Sequence, residues 1–145
     1  MKISKSGQYA LLSVADLALY ANGSHDSIAN VAQRQQIEPR YLGQIFFALK
    51  NAGIVAAVRG KSGGYYLTYD PKELTAGEVV RALEGELAPT RCSADDAPES
   101  CSTYDNCITR AFWQSIGRTI NSTLDSMTIA DIINGYQKGI NNEAQ

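Results

Sequence analysis

Apolar positions change their period several times along this chain, and each change marks an element. Tyr9, Leu11, Leu12, Val14, Ala15, Leu17, Ala18 and Leu19 cover most sides of a helical wheel. They predict a first helix that ends near Ala21 and is either deeply buried or packed on a partner as well. Ser4 and Ser6 are candidate N-caps, and Asn22-Gly23-Ser24 supplies the stop. Asp26 or Ser27 opens a short second helix through Gln35, with Ile28, Val31 and Ala32 on one face. Residues 36–38 form a tight turn, and Pro39 stands where a helix accepts proline best, in its first turn. The third helix buries Leu42, Ile45, Phe46 and Leu49 and ends at Asn51-Ala52-Gly53.

The period then shortens to that of strands. Residues 54–58 and 65–69 predict two strands around the tip Arg59-Gly60-Lys61-Ser62-Gly63-Gly64. Thr75-x-x-Glu78 is a capping box for a fourth helix, with Val79, Val80, Ala82 and Leu83 inward and Gly85 as its end. Residues 86–106 keep no period and predict a loop. Ile108, Phe112, Ile116, Ile120 and Leu124 then recur every four residues, with Trp113 beside them. They predict a helix over 106–125, about 30 Å long. Thr128-x-x-Asp131 starts a short helix through Ile133, and the remaining tail frays. The expected fold is mainly α with a small β-hairpin, a winged helix-turn-helix followed by a long C-terminal helix. The expected division is a winged-helix unit over 1–85, a cysteine-containing loop over 86–106, and a dimerisation helix with tail over 107–145.

Length changes the picture of that long helix. A chain of 145 residues is one domain, or one domain with an appended helix, and it is too small to cover so one-sided a helix by itself. A second copy packed on Phe112, Ile116, Ile120 and Leu124 is the natural solution, making a homodimer. No segment approaches the ~20 apolar residues of a membrane span. The apolar run after Lys2 and Lys5 is short and contains Ser13 and Asp16, so it reads as part of a domain rather than a signal peptide.

Charge is uneven. Residues 1–70 carry seven Lys/Arg against four acids, a net of +3, and residues 71–145 a net of −5. The positive charge therefore sits with the helix-turn-helix pattern. Once its apolar face is buried, the third helix exposes Arg40, Tyr41, Gln44 and Lys50. Arginine and glutamine make bidentate contacts to base edges, while lysine meets phosphate. Arg59, Gly60 and Lys61 at the hairpin tip suit a phosphate or a narrow minor groove. These residues point to double-stranded DNA as the partner; a protein-interaction module that controls an enzyme through the same winged helix is the alternative. Gly43, inside the third helix, has two readings: close approach of a DNA backbone, or tight packing on the second helix.

The candidate chemistry is concentrated in one place. Cys92, Cys101 and Cys107 are the only cysteines and read Cys-x8-Cys-x5-Cys in an acidic, turn-rich stretch with Glu86, Asp95, Asp96, Glu99 and Asp105. An odd number fits a disulfide framework poorly and a cytosolic ligand or redox site better. Clustered thiolates suit a soft metal or an iron–sulfur cluster. Zinc loops have shorter spacings and paired ligands. Free, redox-active thiols are the third option. Arg110 cannot serve as a ligand. His25, the only histidine, lies in the loop after the first helix as a surface residue. There is no phosphate loop and no nucleophile–base constellation, so no enzyme activity and no small-molecule substrate are expected.

Taken together, several segments resemble the IscR/NsrR/RirA/CymR family of bacterial winged-helix transcription regulators over nearly the whole chain. They are Ser6-Gly-Gln-Tyr9-Ala10, 37–46 (Ile-Glu-Pro-Arg-Tyr-Leu-Gly-Gln-Ile-Phe), Leu49-Lys-Asn-Ala-Gly53, Arg59-Gly60-Lys-Ser-Gly63-Gly64-Tyr65 and Thr75-Ala-Gly-Glu78. Cys107-Ile-Thr-Arg-Ala-Phe-Trp113 and 124–131 (Leu-Asp-Ser-Met-Thr-Ile-Ala-Asp) complete the set. The resemblance implies a homodimer that binds operator DNA through the third helix and wing. It also implies an iron–sulfur cluster on Cys92, Cys101 and Cys107, [2Fe-2S] favoured over [4Fe-4S]. The family's members report cluster supply, iron, nitric oxide or cysteine status. The chain departs from the family pattern in three respects. Its first cysteine gap is eight rather than five, closer to the RirA-like pattern. Arg110 stands where IscR proteins have a histidine ligand, and Gln8 matches the position from which the nitric-oxide branch recruits an acidic ligand. Gly43 replaces a glutamate common in the recognition helix.

Overall fold

The computed structural model describes residues 1–94 and 101–143. The described residues form helices α1 (Lys5–Tyr20), α2 (Ile28–Gln35) and α3 (Pro39–Asn51), strands β1 (Val55–Val58) and β2 (Gly64–Leu67), and helices α4 (Ala76–Glu84), α5 (Arg110–Ser126) and α6 (Ile129–Glu143). Two 3-10 turns, Arg91–Ser93 and Tyr104–Asn106, punctuate the segment between α4 and α5. β1 and β2 pair antiparallel, with Val55 opposite Leu67 and Val58 opposite Gly64. This is the winged helix-turn-helix expected from the sequence. No helix among the described residues is long and apolar enough to cross a membrane.

Polar side chains set where each helix starts. Ser4 caps α1 and Ser27 caps α2, each accepting a backbone N–H of the first turn. Gln36, at the end of α2, takes the left-handed conformation (φ 54°, ψ 47°) and turns the chain sharply. Glu38 then caps α3, its carboxylate accepting the N–H groups of Arg40 and Tyr41 at 3.0 and 2.8 Å. Thr75 and Glu78 form the predicted capping box.

The core lies between α1, α2, α3, α4 and the start of α6. Val14 and Leu17 meet Val31, Leu42, Ile45, Phe46, Leu49, Leu74, Val79 and Ile129, all essentially without solvent contact. Each such side chain contributes roughly 1.5–3 kcal/mol. α3 presents its four predicted apolar residues to this core and leaves the opposite face in solvent.

A polar node lies inside this apolar packing. Asp16, on α1, has a fully buried side chain. Arg34 of α2 reaches it with Nη2 at 2.6 Å and Nε at 3.1 Å, and Gln35 donates to it at 2.7 Å. Arg34 also pairs with Asp26 at 2.5 Å and lies over the Tyr20 ring at 4.7 Å. Burial alone would raise the pKa of Asp26. Hydrogen bonds from Asn30, Arg34 and the Ser27 N–H outweigh it and hold the carboxyl below the usual range.

Asp26 also docks the wing. Its N–H donates to the Tyr65 carbonyl at 3.0 Å, and the Tyr65 N–H donates back at 2.7 Å. The two backbones pass so closely that a Cβ at Gly64 would stand 2.1 Å from the Asp26 carbonyl oxygen. Only glycine fits there. The Tyr65 ring packs on Phe46 at 4.9 Å, which fixes the wing against α3.

The C-terminal third differs from expectation at both ends. The long helix begins at Arg110, not at 106, because Cys107 is extended (φ −73°, ψ 123°) and residues 107–109 do not take up the helix. Ile108 is therefore not part of the helical stripe and is 99% exposed. The last helix does not stop at Ile133 but runs on to Glu143. Ile129 is buried in the core, and Ile132 and Ile133 pack against it. Farther along α6, Tyr136 joins Tyr20 and Leu12 of α1 around one apolar hollow. That packing offsets the helix cost of Gly135 and Gly139, about 1 kcal/mol each.

Loss of the Arg34 side chain leaves Asp16 as an unpaired buried carboxylate. Arg34→Ala is therefore expected to cost about 3–5 kcal/mol of stability in urea unfolding. Because the Asp26 pKa is depressed, its pairing stabilises the fold above pH ~4 and is lost as pH falls through the folded-state value. The parent should thus lose more stability below pH 4 than the Asp26→Asn variant, measured by unfolding at matched salt.

Candidate nucleic-acid interface and cysteine site

The solvent face of α3 carries Arg40, Gln44 and Lys50, all exposed. Tyr41 is different. It is half-buried, its hydroxyl lies 2.8 Å from the Ser6 hydroxyl, and its ring meets Tyr9 edge-on at 5.9 Å. The expectation that Tyr41 is exposed is corrected: it secures α3 to α1. Gly43 is corrected as well. A Cβ there would meet nothing within 4 Å, so tight packing on the second helix is not its reason. Glu38 occupies the N-terminus of α3, which keeps a negative charge at the end that would otherwise attract phosphate.

The wing tip presents Arg59, Gly60 and Lys61 to solvent. Gly60 has φ 112°, and a Cβ at Gly63 would stand 2.1 Å from the Val58 carbonyl oxygen, so both glycines are required by the turn. His25 is not simply a surface residue. It is half-buried, and its Nε2 lies 2.5 Å from the Ser62 carbonyl, holding the wing to the loop before α2. The sequence gives no sign of this contact, since His25 and Ser62 share no motif.

Cys92 and Cys107 are partly covered and Cys101 is exposed; all three are free thiols. Each has a threonine hydroxyl two residues away within hydrogen-bonding reach. The pairs are Thr90 with Cys92 at 3.2 Å, Thr103 with Cys101 at 3.6 Å, and Thr109 with Cys107 at 3.5 Å. The Thr103 hydroxyl, then its N–H, lowers the Cys101 pKa, and Thr109 does the same for Cys107. The Thr-x-Cys and Cys-x-Thr spacings were legible in the sequence but are meaningful only once the loop conformation turns each hydroxyl toward sulfur.

The 3-10 turn holding Cys92 packs on α5, and Gln114 donates to the Cys92 carbonyl at 3.3 Å. α5 is fixed in turn to α4 by Arg81, which reaches Asn121 at 3.3 Å and Asp125 at 2.5 Å. Arg110 donates to the Tyr104 carbonyl and lies over the Tyr104 ring at 4.5 Å, so its guanidinium is engaged within the segment. Gln8 donates to the Ile3 carbonyl at 2.9 Å. The candidate oxygen donors Asp95, Asp96 and Glu99 lie outside the described residues, and Asp105 is exposed. Among the described residues, no three His, Cys, Asp or Glu side chains are gathered into a metal-holding set. By chemistry the donor set fits an iron–sulfur cluster: three thiols, two of them with lowered pKa, each with a hydroxyl able to donate to sulfur.

A lowered pKa means more thiolate at a given pH. In reduced protein, alkylation of Cys101 and Cys107 should therefore persist to lower pH than for an unperturbed thiol, near 8.5. Thr103→Val should move the Cys101 rate profile upward, and Thr109→Val that of Cys107, as followed by mass spectrometry of the alkylated peptides.

Comparison with known proteins places this arrangement. Residues 3–135 match the family described as Rrf2, iron-dependent transcriptional regulator. The chain is 34% identical over 134 residues to the HTH-type transcriptional regulator IscR of Serratia proteamaculans, a match that spans 92% of this chain and 80% of that one. Among solved structures it is similar to CymR, the global cysteine regulator of B. subtilis, with a TM-score of 0.75 and 32% identity over 92% of this chain and 97% of that one. It is similar as well to IscR of T. potens, with a TM-score of 0.76 and 29% identity over 96% and 90%. With the winged helix, the exposed basic groups of α3 and the hairpin tip, and a family match along nearly its whole length, this chain belongs to the Rrf2 family of transcriptional regulators, a family of regulators rather than enzymes.

Proposed function

We propose that the protein is a cytoplasmic, homodimeric, DNA-binding regulator that senses iron–sulfur cluster, iron, or redox and nitric oxide status. Cys92, Cys101 and Cys107 would hold the cluster, [2Fe-2S] in preference to [4Fe-4S]. The observation that carries this reading is the cysteine segment itself. Three free thiols, each beside a threonine hydroxyl, lie in one segment whose first turn packs directly on α5. When bound, the cluster would supply a site sensitive to oxidant, nitric oxide or iron loss. The protein's own part is to keep the sulfurs thiolate-like and to leave a weak fourth position, since Arg110 is turned to Tyr104.

α3 and the wing would meet operator DNA through Arg40, Gln44, Lys50, Arg59, Gly60 and Lys61, with Tyr41 fixing α3 from behind. Dimerisation through α5 is supported by its exposed apolar stripe. Phe112 is 57% exposed, and Ile116, Ile120 and Leu124 are only half-covered. Met1 and Ile3 join Ile120 and Leu124 around a shallow apolar hollow of about 310 Å3. A second reading, a thiol switch without metal, is favoured by the exposure and lowered pKa of Cys101. Zinc fits less well, because the chain has no fourth cysteine and its one histidine is engaged with the wing.

Protein purified without oxygen should be coloured, with sulfur-to-iron charge-transfer absorption. Replacing any one cysteine by alanine should remove or badly weaken these bands, while Arg110→Ala leaves them nearly intact. Operator affinity should differ between cluster-loaded and cluster-free protein at equal salt; equal affinity would exclude the cluster as the switch. A colourless protein that cannot be reconstituted, yet changes operator affinity on thiol oxidation, would favour the second reading.

The α5 interface has its own test. Ile116→Glu combined with Ile120→Glu should give monomer or insoluble protein. An unaltered dimer in sedimentation would exclude this face.

A further inference from the structure

The largest apolar side chain on the solvent face of α3 is one the charge pattern does not explain. Phe47 is 64% exposed. A lone exposed apolar residue is ordinary on a protein surface. The position of this one is not. Successive helical residues step by about 100° around the axis. Leu42, Ile45, Phe46 and Leu49 define the buried side, and Phe47 falls within about 30° of the direction opposite its centre. It is therefore at the middle of the outward face, one turn after Gly43 and Gln44 and one turn before Lys50 and Asn51. Arg40, Gln44 and Lys50 are exposed around it. Gly43 leaves this face without a side chain beside the ring, and the space above it is open. The face thus combines a protruding ring, an adjacent bare stretch of backbone and a border of basic and amide groups.

Resting on the DNA-binding reading above, we infer that Phe47 is a specificity-determining residue that contacts the C5 methyl group of thymine in the major groove. The other three bases of a duplex lack that methyl group, and it is the apolar feature a major-groove base edge offers a phenyl ring. The neighbouring groups suit the surroundings of such a contact. Arg40 and Gln44 can bond adjacent base edges and Lys50 can meet phosphate. The absence of a side chain at Gly43 lets the helix approach closely enough for a ring of limited reach to touch a base. Glu38, bonded to the first N–H groups of α3, keeps phosphate away from the helix N-terminus and leaves recognition to the side chains along this face.

The test uses the full chain. Duplexes are selected from a random library by the parent protein, and the preferred duplex is then remade with each thymine changed in turn to deoxyuracil, which removes the methyl alone. Binding is measured at one salt concentration for the parent and for Phe47→Ala. For the parent, one thymine position per half-site should lose roughly fourfold in affinity on demethylation, the effect of one buried methyl. Phe47→Ala should bind the unmodified duplex more weakly and be indifferent to that same demethylation, while Phe47→Leu keeps part of the discrimination. Because Phe47 lies outside the core, the variants should unfold like the parent. Specific binding with the same thymine-to-uracil profile in parent and Phe47→Ala overturns the inference but leaves the DNA-binding reading intact. A change of oligomeric state in Phe47→Ala also overturns it, by assigning the ring to a protein interface. A parent that selects no duplex sequence overturns the DNA-binding reading and this inference together.

Discussion

The buried carboxylate of Asp16 constrains more of this fold than any other single group. It sits on α1 with no solvent contact, and it is tolerable there because Arg34 and Gln35 of α2 satisfy it. That requirement sets where α2 must lie against α1. Arg34 then continues to Asp26, whose backbone pairs with Tyr65 of β2. One guanidinium therefore links the first helix, the second helix and, through Asp26, strand β2 of the wing. A buried ion pair is a poor source of net stability, and apolar residues of equal volume would hold the helices at least as well. What it adds is direction. The arginine fork donates to both oxygens of the Asp16 carboxylate in one orientation, which fixes the pose of the wing relative to the helices.

The basic head formed by α3 and the wing is presented by that pose. α3 is started by Glu38, tied to α1 through Tyr41, and packed against the wing through Phe46 and Tyr65. The wing is closed by glycines where backbones pass too near for a side chain, and His25 holds its tip. Arg40, Gln44, Phe47, Arg59 and Lys61 belong to elements whose placement is fixed from several sides. A surface that binds a partner of fixed geometry gains from this, because flexible side chains on a loosely held helix would lose affinity to ordering.

Contacts run without interruption from the cysteine segment toward that head. The turn containing Cys92 touches α5, α5 is clasped to α4 by Arg81, and α4 packs on both α1 and α3. Gly77 leaves room beside α4 for the Asp125 carboxylate that Arg81 holds, since a Cβ there would stand 2.1 Å from it. The segment that carries the thiols is thus in mechanical contact with the scaffold that holds α3.

Local patterns in the chain were enough for most of the framework. The caps at Ser4, Ser27 and Thr75, the proline at the start of α3, the glycine-rich wing and the four core residues of α3 all depend on near neighbours. Period and capping chemistry therefore specify them directly. So do the cysteine spacing and the four-residue recurrence on α5. Four things were decided by tertiary packing. Asp16 looked like a polar interruption of an apolar run until Arg34, eighteen residues away, arrived beside it. α6 looked like a fraying tail because glycine and asparagine make it intrinsically weak, and its length is set by burial of Ile129, Ile132 and Ile133 against the core. Tyr41 looked exposed by helical phase and was drawn inward by Ser6 and Tyr9. The place of Phe47 at the centre of the outward face became visible only once the core showed which way α3 points. In each case the deciding partner is distant in sequence, and a contact between distant residues leaves no period for a local pattern to record.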